Sequence, residues 1–385
     1  MTGIAAASSL EVLALCIGNA VGFGGTSAIP LWVAAMIKSS RLSAVEVGWL
    51  ASGELFLQAG SVFGMAMFAK RVSPRRIAST AACVIVAANA MAMIPATLTL
   101  IIGRLLSGVA MGSLVAAVTR IAAHRADAQR ILSLMQAAMV VLVSMLFFSS
   151  STPIGRFGPA GVFALLAVAG AVVAVVSRGL PDNVAFDVDT VRAASGRKIA
   201  PLLGCVALTL VFVGQGSVWN YIVLIGNGLG IDAHTLGVLL ALVPPLAMLG
   251  PLASHVLGER VGLLWPLLLS LAVLATDALL LVDAGSPFFF CLYSSVLNVA
   301  ILFFVPYAIA LLGRIDTSGR FAGAAPAFMM IGGSISPTLG GKVIESAHFP
   351  ALAWVAVSCI TLSIVLFSIA VGIGGIKTSL RELQK

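Results

Sequence analysis

Two ionisable side chains stand inside otherwise apolar stretches of this 385-residue chain. Glu54 lies in VGWLASGELFLQAG and Arg104 lies in GRLLSGVAMG. A carboxylate that faces an arginine away from bulk water can gain or lose a proton, because water access and the distance to the arginine both set its pKa. The chemistry that this pair favours is reversible protonation, or the binding of an anion by Arg104.

Each of the two residues also has a simpler interpretation. Arg104 can be a structural cation that hydrogen-bonds backbone carbonyls of the first two predicted helices. Glu54 can be fixed in a permanent ion pair, or it can stay neutral. A buried ion pair is in any case weak evidence for stability, because desolvation of the charges offsets their attraction.

The elements that must position these residues are too apolar for a soluble protein. Hydrophobic residues make up 60% of the chain and charged residues 9%, whereas soluble domains carry about 25% charged residues. Long apolar runs indicate spanning helices of about 20 residues, and a β-barrel would show short alternating segments instead. We therefore predict an all-α integral membrane protein. Its twelve predicted spans are residues 10–37, 45–69, 77–95, 98–122, 130–153, 160–180, 200–225, 234–256, 263–282, 286–312, 321–343 and 349–374.

The basic residues orient these spans. With the amino terminus inside, 17 of the 22 Lys and Arg residues fall in inner loops, four fall outside, and Arg104 alone is left within the bilayer. An excess of Lys and Arg marks the cytoplasmic side. We expect a multi-pass protein of the cytoplasmic (inner) membrane with both termini in the cytoplasm. The net charge of +8 is then a topology signal, and no nucleic acid partner is expected.

Glu54 and Arg104 lie at similar depths in the membrane, and a second acid, Asp277, lies nearer the outer surface. Arg104 is about seven residues, or roughly 10 Å, from the outer end of its span, and Glu54 lies at a similar depth in the second span. A cation at the centre of a spanning helix costs about 2.5–3.5 kcal/mol to insert, so such residues are functional candidates. Asp277 is only a few residues from the outer end of the ninth span, and we expect its side chain to reach the membrane interface.

The longest polar segment, residues 181–198, divides the chain into six spans and six spans. We predict an amino-terminal bundle of residues 1–180, a cytoplasmic linker of 181–199 and a carboxy-terminal bundle of 200–385. Two six-helix halves around a site near the middle of the membrane are a known design of secondary transporters.

Four motifs resemble those of the major facilitator superfamily. GRLLSGVAMG resembles its R-x-x-x-G motif, with Arg104, Gly108 and Gly112. GPLASHVLGERVG resembles the loop motif G-x-L-A-D-R-x-G-R, although Ser254 stands where the family has Asp. The copy of this loop in the first half keeps basic residues but has lost the acid of the family's gating salt bridge. GGSISPTLGG, residues 332–341, resembles G-P-x-x-G-G, a motif that proton antiporters of the family carry on span 5 and that span 5 lacks here.

The resemblance covers the whole chain and implies twelve helices in two pseudo-symmetric six-helix bundles. It places Arg104 on a cavity-lining span, which favours the proton-coupling role that the residues themselves suggest for Glu54 and Arg104. The gating residues that it implies are Arg75, Arg76, Gly250, Arg260, Pro337, Gly340 and Gly341. Spans 1, 4, 7 and 10 line the pathway in the family, and aromatic and amide side chains suit a small, mostly apolar ligand. The substrate-binding candidates are Asn19, Phe23, Gln136, Gln215, Trp219, Asn220, Asn298 and Tyr307. The alternative is that the aromatic residues form an interfacial belt and that the amides bridge helices.

The resulting hypothesis is a secondary active transporter that moves a small organic molecule by alternating access. We predict proton-coupled efflux of a drug-like or metabolite compound; the alternative is proton-coupled uptake of a small organic acid held by Arg104. The catalytic motifs of metalloproteases, serine hydrolases and phosphate-binding loops are missing, which argues against an enzyme. We expect no metal or other cofactor, and a monomer whose partners are its substrate, protons and the lipid bilayer.

Overall fold

The computed structural model describes residues 9–39, 42–68, 72–123, 125, 127–182, 199–258, 260–316 and 320–374. Apart from one short 3-10 turn at Ser177–Gly179, every regular element in this part of the chain is an α-helix. The helices are α1 (Ser9–Ser27), α2 (Ile29–Lys38), α3 (Ala44–Phe68), α4 (Pro74–Met93), α5 (Thr97–Ala123), α6 (Ala128–Phe157), α7 (Pro159–Val176), α8 (Ile199–Trp219), α9 (Ile222–Gly228), α10 (Ala233–Ala247), α11 (Leu249–Leu257), α12 (Leu264–Val282), α13 (Pro287–Ile315) and α14 (Arg320–Gly374).

All twelve predicted spans are helical, and the predicted all-α membrane fold is confirmed. Ten helical stretches of the described chain are long and apolar enough to cross a membrane. The other two spans lie in α3, which carries Glu54 and Gln58, and in the glycine- and serine-rich first part of α14. Three spans contain a break that the hydrophobic pattern does not mark: α1 ends before α2, α8 before α9, and α10 before α11.

Local signals set several helix starts. Ser43 and Glu46 form a reciprocal cap at α3, since the Ser43 hydroxyl accepts from the Glu46 amide at 3.2 Å and the Glu46 carboxylate accepts from the Ser43 amide at 2.9 Å. Ser73 caps α4 by accepting from the amide of Arg76. These side chains satisfy backbone amides that the first turn of a helix leaves without partners. Gly158, at φ 60°, allows the abrupt turn between α6 and α7.

The chain divides into two compact units. The first comprises residues 1–188 with 231–241, and the second comprises residues 189–230 with 242–385. Most of the predicted linker 181–199 lies outside the described residues, so the predicted boundaries of the two bundles stay predictions. Within the first unit, α5 packs against α3, α4 and α1.

Helix α14 folds back on itself within the second unit. A straight helix of its 55 residues would be about 80 Å long, more than twice the hydrocarbon thickness of a bilayer. Along its first part, contacts with α8 run in parallel: Cys205 meets Phe321 and Ser217 meets Ser336. Along its second part they run antiparallel, because Ser363 donates to the carbonyl of Ala207 while Gly214 lies against Ala356. The chain therefore reverses between these parts, which correspond to predicted spans 11 and 12.

A buried ion pair in the candidate functional site

Glu54 and Arg104 form a buried ion pair in the first unit. Arg104 is 0% exposed and Glu54 is 1% exposed. The Arg104 Nε donates to Glu54 Oε2 at 3.0 Å, and the terminal Nη2 donates to Oε1 in a second, parallel hydrogen bond. This fork-to-carboxylate geometry fixes both side chains and gives the strongest kind of hydrogen bond between them. The two residues that the sequence singles out are thus brought together.

Two glycines of α5 allow this pairing. A Cβ atom at Gly108 would collide with the backbone carbonyl of Glu54, and one at Gly112 would collide with the backbone carbonyl of Gln58. Gly108 lies four residues after Arg104, so both face α3. The R-x-x-x-G spacing has a physical reason here: the glycine lets the two backbones touch, and the arginine one turn away reaches the carboxylate.

A third residue, Asn89 of α4, completes the hydrogen bonding of the guanidinium. The Arg104 Nη1 donates to Asn89 Oδ1 at 3.0 Å, and Asn89 Nδ2 donates to the carbonyl of Ile85 at 2.8 Å. Asn89 is fully buried. The sequence interpretation did not include this residue; the available signal was a lone amide in the otherwise apolar ANAMAM segment.

Aromatic rings cover the guanidinium. Its central carbon lies 5.1 Å from the ring centre of Trp32 and 5.2 Å from that of Phe163. Such contacts stabilise a cation in a site without water. Arg104 is therefore held by Glu54, Asn89 and two rings. This differs from the structural alternative raised above, in which its partners are backbone carbonyls, and burial keeps a substrate from reaching Arg104 in this state.

A cavity approaches the ion pair from one end of the first unit. It has a volume of about 190 Å³ and is lined by Met36 of α2, residues 92–97 between α4 and α5, and Pro159 and Phe163 of α7. By the charge distribution of the loops, this end is predicted to face outside. Phe163 lines the cavity and also covers Arg104. The indole Nε1 of Trp32, which belongs to the same aromatic group, is buried without a hydrogen-bond partner among the described residues.

A second polar bridge lies one helical turn from Glu54. Gln58 Nε2 donates to the carbonyl of Gly22 at 3.1 Å, and its Oε1 accepts from the hydroxyl of Thr26 at 2.7 Å. The bridge ties α3 to the glycine-rich part of α1. The sequence interpretation did not include Gln58 either, although an amide four residues after a buried acid is a readable signal.

The three substrate-binding candidates of the first unit differ in exposure. Asn19 is buried, and its Nδ2 donates to the carbonyl of Met135 at 3.2 Å. Phe23 is half-buried and Gln136 is exposed. Asn19 thus bridges α1 and α6 in this state, as the helix-bridging alternative predicts.

The candidates of the second unit form two groups. Asn220 is buried and donates to the Ser336 hydroxyl at 2.9 Å, while the neighbouring Tyr221 donates to the carbonyl of Pro337 at 2.7 Å. Gln215 is buried and Trp219 is half-buried. Tyr307 donates to the carbonyl of Gly258 at 2.9 Å and ties α13 to the end of α11, whereas Asn298 donates to the carbonyl of Ser294 in its own helix.

One hydrogen bond in each unit joins residues with the same separation along the chain. Asn19 and Met135 are 116 residues apart, and so are Asn220 and Ser336. In both units an amide on the first span reaches the fifth span of the same unit. This correspondence agrees with two pseudo-symmetric halves.

The predicted gating residues lie at helix junctions and helix contacts. Arg75 pairs with Asp182 at 3.4 Å on the surface of the first unit, so a carboxylate from the end of that unit stands near the basic loop whose own acid is missing. Arg76 lies in the first turn of α4, where its backbone amide donates to the capping hydroxyl of Ser73. Arg260 is exposed between α11 and α12. Gly250 lies against the backbone of Val299, and Gly340 lies against the ring of Tyr221. Pro337 accepts the Tyr221 hydrogen bond, and Gly341 is buried beside Gly340.

The expectation for Asp277 is wrong. The residue is 3% exposed, and its Oδ2 is buried without a hydrogen-bond partner among the described residues. Its side chain is therefore covered by protein and does not reach the interface, because it lies on the face of α12 that lines a cavity shared with α13.

Comparison with protein-family models gives no match, and comparison with curated protein sequences gives none. Solved structures do match. A D-xylose–proton symporter superposes with a TM-score of 0.73 at 12% identity, covering 93% of this chain and 96% of the other. The nucleoside transporter NupG gives 0.75 at 13% identity, covering 96% and 100%. The POT family transporter PepTSo gives 0.71 at 10% identity, covering 97% and 99%. All three are transporters, and at these identities the likeness shows a shared fold: the chain has the major facilitator fold.

Proposed function

We propose that this protein is a secondary active transporter that moves a small organic molecule across the cytoplasmic membrane, with both termini in the cytoplasm, and that proton binding at Glu54 drives the cycle. The observation that carries the proposal is the Glu54–Arg104 pair, buried at 1% and 0% exposure. Alternating access requires a group whose charge state differs between conformations. A carboxylate can supply this change, because an arginine partner favours its charged form and burial without one favours its neutral form.

The surroundings of the pair fit this role better than substrate binding. Arg104 uses Nε, Nη1 and Nη2 on Glu54 and Asn89, and its guanidinium lies close to the rings of Trp32 and Phe163. A substrate carboxylate would have to displace Glu54 to reach it. If Glu54 takes up a proton, its bond to Arg104 weakens and α3 and α5 are free to adjust. Proton uptake is thereby linked to the packing of the helices.

The cavity at Phe163 supplies a route for the proton from the outer side. Phe163 separates this cavity from the ion pair. Among the described residues, it is the only aromatic residue that both lines the cavity and contacts the Arg104 guanidinium. Rotation of this ring would connect the cavity to the pair. Phe163 then acts as the outer gate of the proton path, and the neighbouring ring of Trp32 also contacts the guanidinium.

We propose efflux by proton antiport as the direction, with a drug-like or metabolite compound as substrate. The buried amides Gln215 and Asn220 and the half-buried ring of Trp219 support a ligand with an apolar body and a few hydrogen-bonding groups. Uptake by proton symport is the second candidate. It is favoured by the structural likeness to a D-xylose–proton symporter, whereas an organic acid clamped by Arg104 is disfavoured by the closed surroundings of that residue.

The test uses purified protein in liposomes that contain a pH-sensitive dye. The probes are D-xylose, nucleosides, short peptides and hydrophobic amines, added with and without an imposed pH gradient. We expect one class to move protons in wild-type vesicles, Glu54→Gln to abolish this movement, and Glu46→Gln to keep it. Glu46 is a matched control because it lies on the same helix but is exposed. Substrate flux that does not respond to the gradient, or that moves no protons, would overturn proton coupling.

A further inference from the structure

Asp277 marks a second site, away from the ion pair. A cavity of about 380 Å³ lies in the second unit between α12 and α13. From α12 it is lined by Ala272, Val273, Thr276, Asp277 and Leu280, which share one helix face by their spacing; from α13 it is lined by Leu292, Tyr293 and Val296. Asp277 stands about 8 Å along α12 from the carboxy-terminal end of that helix.

One oxygen of the Asp277 carboxylate lacks a hydrogen-bond partner among the described residues. The residue is 3% exposed and its Oδ2 is buried without a hydrogen bond among the described residues. None of the described residues that line the cavity is basic. A carboxyl group removed from water needs a hydrogen-bond donor, a proton or a cation, because the unpaired charged form is costly. The cavity beside it is the place from which such a partner can come.

The remaining lining residues specify what that partner looks like. Tyr293 is half-buried, lines the cavity and stacks on Phe289 with ring centres 5.8 Å apart. An aromatic face next to a carboxylate is a recognised setting for an organic ammonium group. Leu280, Leu292, Val273 and Val296 provide apolar walls. The Thr276 hydroxyl is already bonded to the carbonyl of Ala272 at 2.9 Å, so it adds no free donor for the carboxylate.

We propose that this cavity binds a hydrophobic organic cation, with its ammonium group on Asp277 and its apolar body against Leu280 and Val296. The charge pairs with the buried carboxylate, the ring of Tyr293 supports the cation, and the walls bury the remainder of the molecule. Both a free amphiphilic amine and the ammonium headgroup of a membrane lipid have this chemistry. The site is independent of the Glu54–Arg104 pair, which belongs to the first unit.

The test measures binding of 1-naphthylmethylamine, which is protonated at pH 7, to the full-length protein in dodecyl maltoside micelles, which carry no ammonium group, with empty micelles as the blank. Its uncharged isostere 1-naphthylmethanol is the comparison ligand. We expect the amine to bind at least tenfold more tightly than the alcohol. Asp277→Asn should remove this difference and leave the alcohol unchanged. Ala272→Trp, which fills the mouth of the cavity from an exposed position, should weaken both ligands.

The same assay separates this site from the coupling site and distinguishes the two sources of the cation. Glu54→Gln should leave amine binding unchanged, so loss of proton coupling and loss of this site are independent results. If a lipid headgroup occupies the site, phosphatidylethanolamine added to the micelles competes with the amine; if a free amine is the ligand, it does not. Equal binding of the amine to wild type and to a folded Asp277→Asn variant, verified by its melting temperature, would overturn the proposal.

Discussion

Gly108 of α5 lies directly against the backbone carbonyl of Glu54 on α3, and this contact brings the Glu54 carboxylate within reach of Arg104. Any side chain at position 108 would force the two helices apart. The arginine and the glycine of the R-x-x-x-G motif thus act together. The glycine allows the two helices to approach closely, and the arginine binds the Glu54 carboxylate that this approach brings within reach.

Replacing Gly108 should therefore separate the helices and loosen the ion pair. We expect Gly108→Val to lower the free energy of unfolding by about 1–3 kcal/mol, the usual cost of overpacking. Gly60 of α3 is the matched control, because a Cβ there meets nothing within 4 Å; Gly60→Val should stay within about 0.5 kcal/mol of wild type. Unfolding in mixed detergent micelles measures both. Equal effects of the two substitutions would contradict the packing account.

Removing one member of the ion pair should cost more than removing both. Arg104→Met leaves Glu54 buried without its cation, and such a loss costs about 3–5 kcal/mol. The double variant Arg104→Met with Glu54→Leu should recover most of this loss, because no buried charge remains. A double-mutant cycle of unfolding free energies measures the coupling. Additive effects of the two substitutions would mean that the pair is not coupled in the folded protein.

Asn89 should matter through its bond to Arg104. Asn89→Leu removes the acceptor of the Nη1 hydrogen bond, and bonds to charged groups contribute about 1.5–3 kcal/mol. Asn298→Leu is the control, since that amide donates only to a carbonyl of its own helix. We expect the first variant to unfold at a clearly lower temperature than the second in a fluorescence melting assay. The reverse order would rule out Asn89 as a partner of the arginine.

The loop between α5 and α6 should contribute a pH-dependent term. The Arg125 guanidinium donates to Asp127 at 2.8 Å and also meets Glu11 at 2.7 Å, and the bond from Arg125 holds the pKa of Asp127 below its ordinary value. A lowered folded-state pKa stabilises the fold above the unfolded pKa of about 3.9 and loses this contribution as the pH falls through the folded value.

We therefore expect wild type to exceed Asp127→Asn in melting temperature at pH 7, and the difference to shrink as the pH falls below about 4. The exposed position of Asp127 keeps the effect small. Melting curves across this pH range measure it. A difference that is constant with pH would show that the Asp127 charge does not act through Arg125.

The helices were predictable because a long apolar run in a membrane protein can form little else than a spanning helix. The pairing of Glu54 with Arg104 was suggested by their similar depth in predicted spans 2 and 4. Asn89 and Phe163 were not predictable in the same way. They reach Arg104 from α4 and α7, and which face of those helices turns inwards depends on packing that no local pattern encodes. Asp277 was misjudged for this reason: its distance from the helix end was read correctly, but the direction of its side chain was not.

The contacts of other predicted residues become clear only in the three-dimensional structure. Tyr307 holds the end of α11, and Asn220 meets Ser336 of the glycine-rich motif on α14. From the sequence, Asn220 and Ser336 belong to separate predicted sites, because the two residues lie 116 positions apart in the chain. Their roles in binding a substrate stay predictions.

The measurement that tests the central proposal most directly compares two modes of transport by Glu54→Gln in liposomes. One mode is exchange of labelled for unlabelled substrate without a gradient, which needs the conformational cycle but no net proton movement. The other is transport driven by a pH gradient. If Glu54 carries the proton, the variant keeps exchange near the wild-type rate and loses gradient-driven transport. Gradient-driven transport at the wild-type rate in Glu54→Gln would contradict the account.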